Sequence, residues 1–329
     1  MVRSLIARST IFMLCASALV PSLVRGQEKQ VDDGEIKAIF RISKRLLNDV
    51  ADKVEIAADV PLSARVLTFH CTGLIHGRGK AAIDLLSSGD QAMFVANSHG
   101  DGQVCVTGTR RFLVVQAPAG GAFTASTLIR FDGRRCTRIG TTPSVGVSAE
   151  LERITTRRDG AVGRAVGRMA LPLGNQFVPL AERRGIPIAE SIVENVVNDM
   201  ADKIIARLNE TLPVEDSVNR LFPQTAHWVF RMSADTEFLQ AAYGPPAAKM
   251  PTLPKNPKPL ADPHVEAWVH STSKEAKFLE SAGNQPLAQQ LVQTYLKSTL
   301  PRLAALADEH SIAAVGEWIV ISVGPRIAK

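Results

Sequence analysis

The hydrophobic and polar positions of the chain change their period twice, which predicts helix, then strands, then helix again. Over residues 33–54 the apolar side chains recur on one helical face, so we predict an N-terminal helix. From about Ala64 onward, apolar side chains alternate with polar ones. This period of two predicts four to six strands in an antiparallel meander with one buried face.

Glycine-containing segments separate the predicted strands. Asp132-Gly133 lies between two strand-like runs and predicts a hairpin, because Asp-Gly favours tight two-residue turns. By the same reasoning we predict three further turns, at Gly77-Arg78-Gly79, at His99-Gly100-Asp101-Gly102 and at Gly120-Gly121.

The longest regular apolar pattern follows the strands. Pro187 suits the first turn of a helix, and apolar residues continue at helical spacing as far as Leu208. We therefore predict a helix over residues 188–208. The fold class that we predict is α+β: an antiparallel, strongly curved sheet packed against this long amphipathic helix, with flanking helices.

The N-terminus has the pattern of a secretory signal peptide. Arg3 and Arg8 precede an apolar run, and small residues stand at the two positions that a signal peptidase reads before Gln27. We predict cleavage near Gly26 and export to the periplasm or the medium. Residues 27–243 are then the main domain, 244–263 a connector with seven prolines, and 264–329 a strand–helix–strand segment packed on the main domain.

The net charge and the distribution of arginines indicate which classes of partner the chain could bind. The net charge of +6 falls to +3 once the signal peptide is removed, which gives no support to nucleic-acid binding. Between Arg110 and Arg184 there are thirteen arginines, five acids and no lysine. Arginine binds phosphate and carboxylate in a bidentate manner, so this tract suggests a surface for anionic lipid headgroups or acidic polysaccharide. The alternative is that these arginines only solvate strand edges. The predicted ligand-binding residues are Arg130, Arg134, Arg135, Arg138, Arg157 and Arg158.

One strand-like segment carries potential metal ligands. His264, Glu266 and His270 alternate on one face and could contribute to a zinc site. Because any strand with one polar face gives this arrangement, we expect them to have structural roles and predict no cofactor. The mature chain keeps three cysteines, which allow one disulfide of undetermined pairing or buried free thiols: Cys71, Cys105 and Cys136.

No sequence signature of a nucleophilic, metalloprotease or nucleotide-binding site is present. We therefore expect an exported, non-enzymatic envelope protein that binds an apolar or anionic ligand, with lipid as the leading class. One alternative is a structural or interaction module whose Pro-rich segment docks an envelope protein. Another is a metal-dependent hydrolase using the two histidines and the glutamate above.

Two segments resemble each other. Residues 228–242 and 268–282 share six identities in fifteen positions, which indicates either a duplicated unit or coincidence between similar hairpins.

The succession of Thr72-Gly73, Thr- and Gly-rich strands, the segment 160–184, the helix over 186–208 and the Trp228 and Trp268 elements resembles a family of uncharacterised secreted bacterial proteins. That family implies no activity and no catalytic residues. In architecture the chain also resembles tubular lipid-binding (BPI-like) proteins, in which a long amphipathic helix wraps in a curved sheet. This second resemblance implies an apolar ligand.

Overall fold

Two antiparallel sheets and three helices make up the described part of the chain. The computed structural model describes residues 35–88, 91–156, 161–211, 229–251, 253, 263–271 and 309–324. The elements are β1 (Ala38–Ser43), α1 (Lys44–Ala51), β2 (Ile56–Val66), β3 (Phe69–Leu86), β4 (Ala92–Arg110), β5 (Leu113–Phe131), β6 (Cys136–Ala149), β7 (Arg153–Thr156), α2 (Ala161–Asn175), α3 (Val178–Thr211), β8 (Val229–Ala234), β9 (Phe238–Gly244), β10 (Val265–His270), β11 (Glu309–Val315) and β12 (Trp318–Gly324). The prediction of an α+β fold with antiparallel strands is confirmed.

The short-strand sheet, defined by β1 and β8–β12, has the order β11-β12-β10-β1-β9-β8. β1 lies in its middle and pairs antiparallel with β10 and β9. The predicted helix over residues 33–54 is therefore wrong in its first half, since only Lys44–Ala51 is helical. β1 is buried on both faces, and such a strand is a continuous apolar run whose period does not distinguish it from a helix.

The long-strand sheet, defined by β2–β7, has the order β2-β3-β4-β5-β6, with β7 paired to β5. The predicted meander and the turn at Asp132-Gly133 are confirmed, and Gly133 has a φ of +90°. The three other predicted turns are wrong, because their glycines lie inside strands of 18 or 19 residues. At two of these positions the cause is close packing: a Cβ on Gly100 would lie 2.2 Å from the Arg78 carbonyl oxygen, and one on Gly121 would lie 2.1 Å from that of Gly146.

A meander places alternate turns at opposite ends of its sheet. The β3–β4 and β5–β6 turns lie at one end, which we call the near end because Ser88 there pairs with Ala234 beside the short-strand sheet. The β2–β3 and β4–β5 turns lie at the opposite, far end. β7 pairs with the first residues of β5 and so also belongs to the far end.

Helix α1 joins the two sheets. The Ser43 hydroxyl caps its N-terminus by accepting from the Leu46 N–H at 3.2 Å. Asn48 accepts from the Ile83 N–H at 2.7 Å and donates to the Ile83 carbonyl at 3.1 Å. The Asn48 amide therefore pairs with the backbone of β3 as a neighbouring strand would. This part of β3 has no partner in β2.

The long helix α3 packs on the inward face of the long-strand sheet. It begins at Val178, ten residues before the predicted start, so Pro187 lies inside it. Proline removes the N–H that would bond to the Arg183 carbonyl, but Arg183 is exposed and water can satisfy that oxygen. The C-terminal half of α3 is buried at Val197, Met200, Ala201, Ile204 and Leu208. None of the helices in the described ranges is both long and apolar enough to cross a bilayer.

Several sequence-based predictions fall outside the described residues. These are the signal peptide, Arg157, Arg158, Trp228, most of the 268–282 copy and part of the Pro-rich connector. The boundaries predicted for the domains stay predictions.

Candidate functional site

The inward face of the long-strand sheet changes character along its length. Towards the near end, every second residue is fully buried, as at Ile83 in β3, Phe94 in β4 and Ile129 in β5. Towards the far end, the inward residues remain apolar but are only half-buried, as at Ile75 and Val104. The near half is therefore a filled core, whereas the far half lines a space.

That space is a cavity of about 690 Å³. It lies between the far half of the sheet, helix α2 and the N-terminal half of α3. Its lining is overwhelmingly apolar and includes Val60, Leu62, Ile75, Val104, Val106, Val115, Phe123, Val147, Leu173, Phe177, Ile188, Ile192 and Val196. The volume is within the usual range of sites for small molecules, about 300–1,000 Å³.

A row of glycines lies across the floor of the cavity. Gly77 of β3, Gly102 of β4 and Gly121 of β5 are in register on adjacent strands, between Ala58 of β2 and Val147 of β6. A Cβ on Gly102 would have its nearest neighbour at 3.6 Å, and one on Gly77 at 3.8 Å, which are ordinary contacts. The absence of side chains at these two positions therefore leaves room in the cavity and is not required by local packing.

Polar side chains of α3 bond to the edge strand β6. Asn209 accepts from the Cys136 N–H at 2.6 Å and donates to the Cys136 carbonyl at 3.2 Å. The Thr141 hydroxyl donates to Asn198 at 2.7 Å, and the Ala149 N–H donates to the Glu182 carboxylate at 2.8 Å. These contacts cover a sheet edge that would otherwise expose unpaired backbone groups.

Charged residues are few in the cavity lining. Arg110 is the cation among the described lining residues, and Asp101, Glu150 and Glu182 are the acids. Glu182 is engaged with the Ala149 N–H. Such a lining can hold an apolar molecule but offers little to bind an anion.

The predicted arginines lie elsewhere. Arg130, Arg134, Arg135 and Arg138 are exposed around the β5–β6 turn at the near end, and none of the four lines the cavity. Arg138 forms an ion pair with Asp202 of α3 at 3.5 Å. The structure thus groups these four along one turn, at the opposite end of the sheet from the far-end turns.

The predicted metal ligands have separate protein partners. His264 Nε2 lies 2.9 Å from a carboxylate oxygen of Asp49, and His270 Nε2 lies 3.5 Å from one of Glu317. Glu266 accepts from the Arg41 guanidinium at 2.8 Å and from the Trp268 indole N–H at 3.0 Å. In the part of the chain that the structure describes, no three His, Cys, Asp or Glu side chains are grouped as a metal site.

The three cysteines are free thiols. Burial raises the pKa of Cys136 to about 12, and the charge of Asp132 adds to this effect. Burial also raises the pKa of Cys71, although a hydrogen bond from the Val66 backbone opposes it. Neither thiol is activated as a nucleophile, since the reactive form is the thiolate.

Sequence reasoning missed the cavity residues. They carry a partial signal in the sequence: Gly77 and Gly79 in β3, and Gly100 and Gly102 in β4, are glycines at alternate positions of strand-like runs. Glycine-rich segments are typical of turns, so the sequence predicts turns at these positions.

Comparisons with known proteins give little help with this site. No protein-family model and no curated protein matches the sequence, so the predicted membership in a family of secreted bacterial proteins gains no support. Among solved structures, the chain is similar to lipopolysaccharide binding protein, with a TM-score of 0.32 and 12% identity over 73% of this chain. The match spans 58% of that protein's length. The chain is also similar to Takeout 1 of Epiphyas postvittana, with a TM-score of 0.29 and 9% identity over 51% of this chain and 89% of that one. TM-scores this low carry no argument about the architecture or the function of this chain.

Proposed function

We propose that the protein is a non-enzymatic carrier of an apolar molecule, and that lipid is the ligand class. The observation that carries this proposal is the cavity of about 690 Å³ with its almost wholly apolar lining. Apolar pockets with few polar groups are the usual form of sites for hydrophobic ligands.

The lining favours a ligand with a long hydrocarbon part. Each methylene withdrawn from water contributes about 0.8 kcal/mol, so a chain of about twelve methylenes contributes roughly 10 kcal/mol. Association itself costs about 4–15 kcal/mol, so a much shorter chain would bind weakly. A charged headgroup would lie at the mouth, where Arg110 is placed to contact it.

The proposal includes a curved sheet. Helix α3 contacts both β2 and β6, which are the first and last strands of the meander. In a flat sheet these strands would be roughly 19 Å apart, at about 4.8 Å per neighbour. A helix is only about 10–12 Å across with its side chains, so contact with both strands supports a sheet that bends around it.

The place of action that we propose is outside the cytosol, in the periplasm or the medium. It rests on the predicted signal peptide of residues 1–26. A carrier role also agrees with the residues of the cavity, since no lining cysteine has a lowered pKa and Glu182 is bonded to the backbone.

The proposal is tested by binding of a fluorescent fatty acid to the purified protein, together with mass spectrometry of lipid that co-purifies. We expect saturable binding at one site. Gly102→Leu should weaken it at least about ten-fold, because the new side chain occupies cavity space equivalent to several methylenes.

The matched control is Gln103→Leu, the adjacent and outward-facing residue of the same strand. It adds the same leucine to β4 and should leave the affinity unchanged. The proposal fails if the wild-type protein binds no fatty acid and co-purifies with no lipid, or if both variants lose affinity equally.

A further inference from the structure

The far end of the long-strand sheet exposes large apolar side chains. Phe112, in the β4–β5 turn, is 57% exposed, and Leu67, in the β2–β3 turn, is 37% exposed. At the α2–α3 junction, Leu173 is 62% and Phe177 is 58% exposed. We call these four residues the apolar rim. Contiguous exposed apolar residues mark sites of interaction with proteins, membranes or ligands.

Three residues of the apolar rim belong to the cavity lining. Leu67, Leu173 and Phe177 line the cavity as well as facing solvent. Phe112 does not line it, but Arg110 and Leu113 on either side of its turn do. The exposed apolar surface and the cavity lining therefore share residues.

Two of the far-end turns hold bulky residues in the left-handed region. Leu67 has a φ of 54° and Arg111 a φ of 51°. Gly or Asn would adopt this conformation with less strain. Leu67 is 37% exposed and also lines the cavity, so its side chain is only partly buried in this turn. Strained backbone with exposed side chains is characteristic of positions that serve binding.

Basic residues accompany the apolar rim. Arg65, Arg110 and Arg111 are exposed at the far end, and in the described part of the chain their guanidinium groups form no ion pair. Among the described residues, the acids nearest to β7 in sequence are Glu150 and Glu152, whose N–H groups bond to the carbonyls of Pro118 and Gln116 inside β5. An apolar surface with arginines at its margin matches a phospholipid surface, where acyl chains lie beneath phosphates.

We propose that the far end docks on an anionic lipid bilayer, with the apolar rim among the headgroups and the arginines on lipid phosphates. Docking in this orientation brings the cavity-lining residues Leu67 and Arg110 to the membrane surface. The proposal goes beyond the carrier function, because vesicle binding requires no ligand in the cavity.

The test is co-sedimentation of the purified protein with vesicles of phosphatidylcholine alone or with added phosphatidylglycerol. We expect binding to the anionic vesicles that weakens as salt is raised, since salt screens exposed charges. Phe112→Ser should weaken binding about ten-fold or more by removing an inserted apolar side chain. Arg111→Gln should weaken it about five-fold, as for one basic residue at an anionic surface.

Matched controls lie towards the near end. Ile139 is 53% exposed on β6, and Arg130 is exposed on β5. Ile139→Ser and Arg130→Gln should bind vesicles like the wild-type protein, and thermal unfolding should show that all four variants fold. The proposal is overturned if the wild-type protein does not sediment with anionic vesicles, or if the near-end variants lose as much binding as the far-end ones.

Fatty-acid binding separates this proposal from the carrier function. Phe112→Ser should keep fatty-acid affinity, because Phe112 does not line the cavity. Gly102→Leu should lose fatty-acid affinity and still sediment with anionic vesicles. If Gly102→Leu abolishes both, docking depends on the cavity ligand and the proposal of independent docking is wrong.

Discussion

The two halves of strand β4 differ in what their inward side chains form: a filled core in one half and the wall of a cavity in the other. In the half towards the near end, inward side chains such as Phe94 are fully buried in a continuous core. In the half towards the far end, inward residues such as Val104 are half-buried and line the cavity. Alternating inward side chains thus form a core in one half of the strand and line a cavity in the other.

The difference shows how the fold can hold a large apolar cavity and remain stable. The core of the near half joins both sheets, α1 and the C-terminal half of α3. Side chains that are fully buried contribute about 1.5–3 kcal/mol each, whereas half-buried ones contribute less. The near half therefore provides most of the stability that keeps the far half in shape.

The largest expected difference between the two halves is the loss of stability on truncating an inward side chain. Phe94→Ala should lower the free energy of unfolding by about 3–5 kcal/mol, because it leaves a cavity in a filled core. Val104→Ala, on the same strand and the same face, should cost below about 1 kcal/mol, since half of that side chain is already unburied. Urea unfolding measures both, and equal losses would contradict the division into two halves.

A smaller effect concerns the hydrogen bonds between α3 and β6. Asn209→Ala should cost about 1–3 kcal/mol, because it leaves the N–H and carbonyl of buried Cys136 without their partner. Glu182→Ala removes a comparable bond in the far half and should cost no more than about 1 kcal/mol, since water can reach that edge. Thermal unfolding measures both losses of stability. If Glu182→Ala lost more stability than Asn209→Ala, the far half would anchor the helix more strongly than the near half, which contradicts the account.

The smallest expected difference is between the turns at the two ends of the sheet, in how much a substitution there lowers stability. At the near end, the Asp132 carboxylate accepts from the N–H groups of Arg134 and Arg135 at 2.9 and 2.8 Å. Burial alone would raise the pKa of Asp132, but these bonds together with the charge of Arg135 lower it below its ordinary value. The ionised form is therefore favoured in the folded state, and its contribution is lost as the pH falls through the folded-state pKa.

Asp132→Ala should accordingly cost about 1 kcal/mol at neutral pH. The difference in free energy of unfolding between Asp132→Ala and the wild-type protein should decrease below a pH of about 3.9, the ordinary pKa of aspartate. Leu67→Gly in a far-end turn should cost almost nothing, because glycine relieves the positive φ. Urea unfolding across the pH range checks both variants, and a constant deficit for Asp132→Ala would show that the carboxylate charge has no role.

Much of the architecture followed from local patterns, because side-chain period and turn chemistry depend on neighbouring residues. The meander, the Asp132-Gly133 turn and the core of the long helix were predictable in this way. The strand Ala38–Ser43 was not, since burial on both faces removes the alternation that marks a strand. The prediction of ligand-binding arginines stays a prediction: it came from charge density, and the four arginines that the structure describes lie outside the cavity lining.

The cavity was predictable only in part, because its glycines are visible in the sequence but the strands that lie side by side are not. Gly77, Gly102 and Gly121 are far apart in sequence, and only the register of three strands aligns them on one floor. The amide of Asn209 is a similar case, since its partner Cys136 lies on a strand 73 residues away. Pairings of this kind are set by tertiary packing and leave no periodic signal in the chain.

The central claim is that the far half of the sheet holds an apolar ligand on its inward face. The most direct measurement is photocross-linking with a fatty acid that carries a diazirine near its methyl end, followed by peptide mapping. We predict adducts on inward residues of the far half, around Gly102, Val115 and Val147. Adducts confined to the exposed arginines of the near end, or spread evenly over the surface, would contradict the claim.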